Sequence, residues 1–393
     1  MKSIELFVGA GGLALGTARA GFRHVGVFEW DKYACDTIRE NAANKLEPVV
    51  AWPLFQGDVR GVDFRSFEGR VDLVSGGPPC QPFSVGGKHR GRLDERDMFP
   101  EAVRAVREIR PKAFIIENVR GLTRPLFYNY FEYIRLQFEF PEILIRDNED
   151  WPDHLARLEK HKTRGASRGL HYNVVSEVLN AADYGVPQRR ERVFIVGLRN
   201  DLAIQWSFPE ATHSRAALRR SQSKGGDYWD RHGISARKVP AWARSAPFET
   251  GAIQTILDTL ASKPWVTTRD AIAGLPKPTA KPNTRIPNHR LQLGARAYAG
   301  HTGSLLDLPA KTLKAGDHGV PGGENMLILD DGSVRYLTVR ESARLQTFPD
   351  DFVFHGTWTE SMRQLGNAVP VGLATVVGTS VRRALSRSAE PPK

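Results

Sequence analysis

At 393 residues and 41% hydrophobic content, the chain has enough apolar material for a sizeable core and enough length for two ordinary domains. Its formal charge of +11 favours a polyanionic partner, because clustered Lys and Arg gain free energy by displacing counterions from phosphates. Two cysteines, Cys35 and Cys80, exclude a disulfide framework and point to a reducing compartment, and no apolar run has the length of a membrane span; a cytoplasmic protein with no membrane partner is expected.

In chain order, short apolar runs alternate with helix-like segments through residue 200, the pattern of a doubly wound α/β sheet. Expected strands cover Ile4 to Gly9, His24 to Trp30, Val71 to Gly76, Ala113 to Val119 and Arg192 to Leu198. Ala102, Val103, Ala105, Val106 and Ile109 have helical spacing, and Pro111 supplies a stop. Residues 126–170 are charged and aromatic without a clean period, and no role is assigned to them. From 201 to 330 the texture changes to ten prolines, irregular spacing and 17 Lys/Arg against 11 Asp/Glu, the composition of a separate, loop-rich basic module. Order returns from 331, with helices expected at Val339 to Leu345 and Ala368 to Val377.

The first expected strand runs into Phe7-Val8-Gly9-Ala10-Gly11-Gly12, where glycines permit a tight turn and close backbone approach to a ligand. Glu29 ends the second strand, placed to hold ribose hydroxyls, and Trp30 beside it can cover an adenine face. Asp58 is a third acceptor, suited to an adenine amino group or to forming a turn after Gly57. These residues indicate a nucleoside ligand without separating a dinucleotide from S-adenosylmethionine, although G-x-G-G departs from the dehydrogenase fingerprint.

The third strand leads into Gly76-Gly77-Pro78-Pro79-Cys80-Gln81-Pro82-Phe83-Ser84, in which prolines pre-set the backbone around a cysteine. Ligands of open α/β sheets sit outside the carboxyl ends of strands, so Cys80 is delivered to a site rather than to the core. Cys35, on an ordinary helix, reads as an inert core thiol. The fourth strand ends in Glu117, giving a thiol nucleophile and a general acid on one sheet edge. Arg189, Arg190 and Arg192 enter the last strand, where they require a carboxylate or an anion, or else a solvated strand start.

Taken together and in order, these motifs, with Arg340-Glu341-Ser342-Ala343-Arg344-Leu345-Gln346 and Gln364-Leu365-Gly366-Asn367-Ala368-Val369-Pro370, resemble the bacterial-type, restriction-modification-like DNA (cytosine-5)-methyltransferases over 1–125, 171–200 and 335–378. The resemblance implies a Rossmann-like S-adenosylmethionine-dependent domain over 1–200 and 331–393, and a smaller target-recognition domain over 201–330 that reads double-stranded DNA. It implies Cys80 as nucleophile beside Pro79, Glu117 on the cytosine ring, and Arg190 and Arg192 lining the site. Phe7, Gly9, Gly11, Gly12, Glu29, Trp30, Asp58 and Asn367 are the residues it assigns to S-adenosylmethionine. No metal is expected, a monomer is, and a cognate restriction endonuclease acting on the same site would be a functional partner. An RNA cytosine-5 methyltransferase of the same chemistry is the alternative; the large basic segment favours DNA.

Overall fold

The computed structural model describes residues 1–79, 97–165, 169–245, 262–281, 285–299, 302–315 and 323–387. Its centre is a seven-stranded sheet built from β1 (Lys2–Leu6), β2 (Arg23–Glu29), β3 (Leu54–Gln56), β4 (Leu73–Gly76), β5 (Ala113–Val119), β6 (Tyr172–Asn180) and β7 (Glu191–Arg199). The spatial order is β3-β2-β1-β4-β5-β7-β6. The pairings from β3 to β5 are parallel, and β7 runs antiparallel to β5. The chain winds from β1 outward to β3, then restarts on the other side of β1 with β4, so the order reverses between β1 and β4. That switch point is where a doubly wound sheet opens a crevice at its carboxyl edge.

The doubly wound α/β class is confirmed, and five strands fall where the apolar runs predict them. The runs missed β3 and β6, the two edge strands. The three residues of β3 are largely exposed, and most of β6 is only half-buried, so neither carries the continuous apolar run of a strand covered on both faces.

Strand alternation separates two faces. Ile4, Leu6, Phe28, Val74, Phe114, Ile116, Val193 and Ile195 join one buried cluster with residues of α3 (Phe99–Ile109) and α4 (Tyr128–Glu139). In α3 the predicted positions Ala102, Val103, Ala105, Val106 and Ile109 are all buried, and the helix ends at Arg110 in a left-handed conformation just before Pro111. On the opposite face α1 (Gly12–Arg19) packs with the helix Val371–Arg387 at close range: a Cβ added at Gly16 would lie 2.3 Å from that of Ala374.

The stretch without a clean period is α4 followed by α5 (Trp151–Thr163). Phe131, Ile134 and Phe138 of α4 enter the main cluster, whereas Tyr133 and Leu136 form a second one with Phe140 and Leu158. A helix buried on two sides shows no amphipathic stripe, which is why the sequence pattern failed there.

The chain divides into two compact units, one comprising Met1–Leu179, Glu191–Pro209 and Asp351–Lys393, the other Asn180–Arg190 and Glu210–Asp350. The second therefore extends past the expected limit at 330 and includes the helix Val339–Leu345. That helix is a structural hub: Thr338 and Glu341 form a capping box, and Arg340 is fully buried, donating to the Pro349 and Pro287 carbonyls. The unit has its own small core of Leu218, Tyr228, Trp229, Val239 and Ala243. Among the described residues, no helix is long and apolar enough to cross a membrane.

Candidate active site

The glycine loop leaves β1 with Phe7 and Gly9 both at φ +54° and Gly11 at +89°. Each glycine has a different reason. A Cβ at Gly9 would meet nothing within 4 Å, leaving open space above the loop; at Gly11 it would come 2.9 Å from the Trp52 ring; at Gly12 it would come 2.2 Å from the Val369 carbonyl oxygen. Gly12 thus receives the segment that follows Asn367, the exposed last residue of the helix Trp358–Asn367. The structure brings the two ends of the sequence signature together at this loop.

Glu29, at the end of β2, is 8% exposed. One carboxylate oxygen accepts from the Gly9 N–H at 2.7 Å, and the other accepts from the N–H groups of Trp30 at 3.0 Å and Asp31 at 2.8 Å. Burial pushes its pKa above the ordinary carboxylate value, and these N–H bonds pull it partly back. Trp30 is 71% exposed, an indole face unused by the fold. Asp58 faces solvent and is gripped by Arg60 through Nε at 2.8 Å and Nη2 at 2.6 Å, which holds its carboxyl below the usual range. Arg60, absent from the sequence reading, competes for the carboxylate assigned there to an adenine amino group.

The open glycine backbone, a carboxylate with a spare acceptor site and an unused indole face together fit an adenosyl ligand.

Along the same carboxyl edge, β4 ends at Gly76, where a Cβ would lie 2.7 Å from the Leu6 carbonyl oxygen. At Gly77 a Cβ would lie 3.1 Å from Oε2 of Glu117, and Asn118 donates from Nδ2 to the Pro78 carbonyl at 2.9 Å. The end of β5 therefore holds the loop that leads to the exposed Pro79. Cys80 and the residues through 96 lie outside the described residues. Gly77 and Asn118 were not singled out from the sequence; the doubled glycine and the polar residue next to Glu117 were the available signals.

Because β7 runs antiparallel to β5, its first residues reach the carboxyl edge, and Val119 pairs in register with Arg192. Arg192 Nε lies 2.9 Å from Glu117 Oε1, both side chains nearly buried. Burial lowers the pKa of the guanidinium while Glu117 opposes that shift. Arg190, expected to line the same site, is instead fully buried in the second unit and donates from Nη1 to the Leu313 carbonyl at 2.9 Å. Cys35, on α2 (Lys32–Ala43), is buried, and burial together with Glu29 pushes its thiol up to about 12, the inert thiol expected.

A buried acid in the middle of this sheet was not read as a site residue from the sequence. Glu5 of β1 is registered with Ser75 of β4, so both point to the face that carries Glu117, and the Ser75 hydroxyl hydrogen-bonds the Glu5 carboxylate. Burial, with a smaller contribution from the charge of Glu117, raises its pKa to about 8, against which the Ser75 bond acts.

Residues 1–141 and 159–383 match the family model for C-5 cytosine-specific DNA methylases. The type II methyltransferase M.PspPI of Psychrobacter sp. (strain TA137) is 33% identical over 401 residues, covering 98% of this chain and 79% of its own. M.NgoMIV of Neisseria gonorrhoeae is 32% identical over 385 residues, covering 98% of both chains. Among solved structures, S. pombe Dnmt2 methyltransferase superposes with a TM-score of 0.57 over 99% of this chain and all of that one, at 16% identity, a likeness of fold. The family modifies DNA, which favours DNA over the RNA alternative. The chain belongs to the C-5 cytosine-specific DNA methylases, enzymes that take a methyl group from S-adenosylmethionine and place it on carbon 5 of cytosine in DNA.

Proposed function

We propose that Cys80 is the covalent nucleophile, that Glu117 and Arg192 act on the cytosine ring, and that Pro79 fixes the approach of the thiol. Carbon 5 of cytosine is too weak a nucleophile to attack a methyl group unaided. The Cys80 thiolate adds to carbon 6, and the displaced electron pair builds up on carbon 5 as Glu117 gives a proton or hydrogen bond to ring nitrogen 3. Arg192 holds Glu117 and the neighbouring carbonyl oxygen, where negative charge gathers. S-adenosylmethionine, when bound, supplies the electrophilic methyl. Loss of the carbon 5 proton then returns an electron pair to the ring and expels the thiolate. The observation that carries this reading is the Glu117–Arg192 pair at 2.9 Å, with Glu117 against Gly77, three residues before Cys80.

Phe7, Gly9, Gly11, Gly12, Glu29, Trp30, Asp58 and Asn367 would hold the methyl donor: Glu29 by its ribose, Trp30 over the adenine, and the glycines under the amino-acid end. For Arg190 the buried bond to Leu313 supports a positioning part rather than contact with the base. We read the unit Glu210–Asp350 as the part that recognises duplex sequence, and the protein as a cytoplasmic monomer whose methylation guards sites against a cognate endonuclease. The names of the type II relatives support the last point.

The test is transfer of labelled methyl to DNA by two variants. Cys80→Ser is expected to lose transfer while still binding S-adenosylmethionine, because a hydroxyl is a far poorer nucleophile at neutral pH; Cys35→Ser should match the parent. Near-parental transfer by Cys80→Ser overturns the covalent route.

A further inference from the structure

The nine residues after Asn118 are not explained by cofactor binding or by the chemistry at Glu117. β5 ends at Val119, and two 3-10 turns follow, Arg120–Thr123 and Pro125–Phe127, before α4 begins at Tyr128. The segment is built, not loose. Leu122 is fully buried in the main cluster, the Arg124 N–H donates to the Gly121 carbonyl at 3.3 Å, and the Phe127 N–H donates to the Arg124 carbonyl at 2.8 Å.

From this anchored base it presents apolar groups to solvent: Val119 at 44% exposure, Leu126 at 74% and Tyr128 at 60%. A single exposed Leu is ordinary, but three large apolar residues within ten positions form a surface that calls for a partner. The segment's own charged residues have one sign. Arg120 and Arg124 are exposed, and no Asp or Glu occurs from 119 to 131. Arg120 is already engaged by Glu191 at 2.5 Å, which leaves Arg124 as the cation facing outward.

The place of this lip matters as much as its composition. Val119 is registered with Arg192, which pairs with Glu117, so the lip starts at the reaction site itself. Between Val119 and Leu126 the chain makes two 3-10 turns joined by the extended Arg124, and seven residues keep Leu126 within about 25 Å of Val119. A duplex whose cytosine reaches Glu117 must pass within reach of this surface.

Resting on the DNA-methylating reading, we propose that Val119–Tyr128 is a DNA-contacting lip of the catalytic unit. Arg124 sits on a phosphate, and Leu126 with Tyr128 packs against the duplex beside the extruded nucleotide, keeping the opened stack from closing. Apolar side chains used in this way between base steps are a known means of holding distorted DNA, and apolar groups beside an outward-facing Arg124 suit no other partner of this site as well.

The test uses the full chain and a duplex carrying the sequence that the parent methylates. The double variant Leu126→Ala/Tyr128→Ala is expected to raise the KM for DNA about 10-fold, with affinity for S-adenosylmethionine and the melting temperature unchanged. The loss should shrink to about 2-fold or less when the target cytosine faces an abasic site, because the cytosine then has no pairing partner to give up and no opposite base recloses the gap. Arg124→Ala should lower the slope of log affinity against log salt by about one phosphate's worth. An unchanged KM for DNA, an equal loss on the abasic duplex, or a parallel loss of cofactor binding each overturns the proposal. Parental methylation of the same duplex, measured alongside, separates failure of the lip from failure of the DNA reading beneath it.

Discussion

Glu5 places a carboxyl group in the middle of a sheet, where an unpartnered charge is expensive, and the fold answers by keeping it protonated. Its pKa, raised to about 8 chiefly by burial, exceeds the 4.5 of a free glutamate. The folded state therefore binds the extra proton between those values, so this contribution to stability is full below about 4.5 and is lost as pH rises through about 8. Ser75 and Glu117 are the groups that act on it, with Arg192 paired to Glu117 in turn. Glu5→Gln keeps the shape and removes the proton equilibrium. Its melting temperature relative to the parent should climb as pH is raised across that window; a difference independent of pH would show that Glu5 is charged in the fold. From the sequence, Glu5 is only a polar interruption in an apolar run, since nothing local reveals that Ser75, seventy residues on, lies opposite it. Glu29 and Glu117 were legible because each ends an apolar strand, and strand ends in a parallel sheet share an edge. Arg60 and the buried fate of Arg190 were not, because both depend on which partner the folded chain supplies.

At the scale of elements, the close packing of α1 on the helix Val371–Arg387 joins the start of the catalytic unit to its end. Gly16 lies beneath Ala374, where an added Cβ would fall 2.3 Å from a methyl and 2.8 Å from backbone, contacts that no rotamer change relieves. Gly16→Ala should destabilise the protein by about 1–3 kcal/mol, the usual range for overpacking a tight interface. Denaturant unfolding with an unchanged slope would measure it, and a variant as stable as the parent would show that the helices can separate freely. Helical propensity alone makes the opposite forecast, since Ala is the better helix former by about 1 kcal/mol. This contest sets the limit of sequence reading. Periodicity located α3 because one face of it is buried, and it failed on α4 because two faces are. The core strands were legible as apolar runs, whereas the edge strands β3 and β6 were not.

For the whole molecule, the proposed division of labour is chemistry in one unit and sequence choice in the other. Exchanging Glu210–Asp350 for the matching segment of a type II relative should change which sequence acquires 5-methylcytosine, mapped on modified DNA, and leave the reaction unaltered. A chimera that retained the parent's target would place recognition elsewhere, with the lip at Val119–Tyr128 the first candidate. Composition marks 201–330 as a basic, proline-rich stretch; the compact unit that overlaps it, Glu210–Asp350, also takes in Asn180–Arg190 and the helix Val339–Leu345, whose apolar pattern reads like more of the sheet domain. Methyl transfer is proposed to pass through a bond between Cys80 and the target base. It is tested most directly with a duplex carrying 5-fluorocytosine at the target, where fluorine cannot leave as the proton does and the adduct is trapped. With S-adenosylmethionine present, mass spectrometry of the digested complex should find the methylated base attached to the peptide containing Cys80; a complex that releases its DNA on denaturation, or an adduct on Cys35, would overturn the covalent route through Cys80.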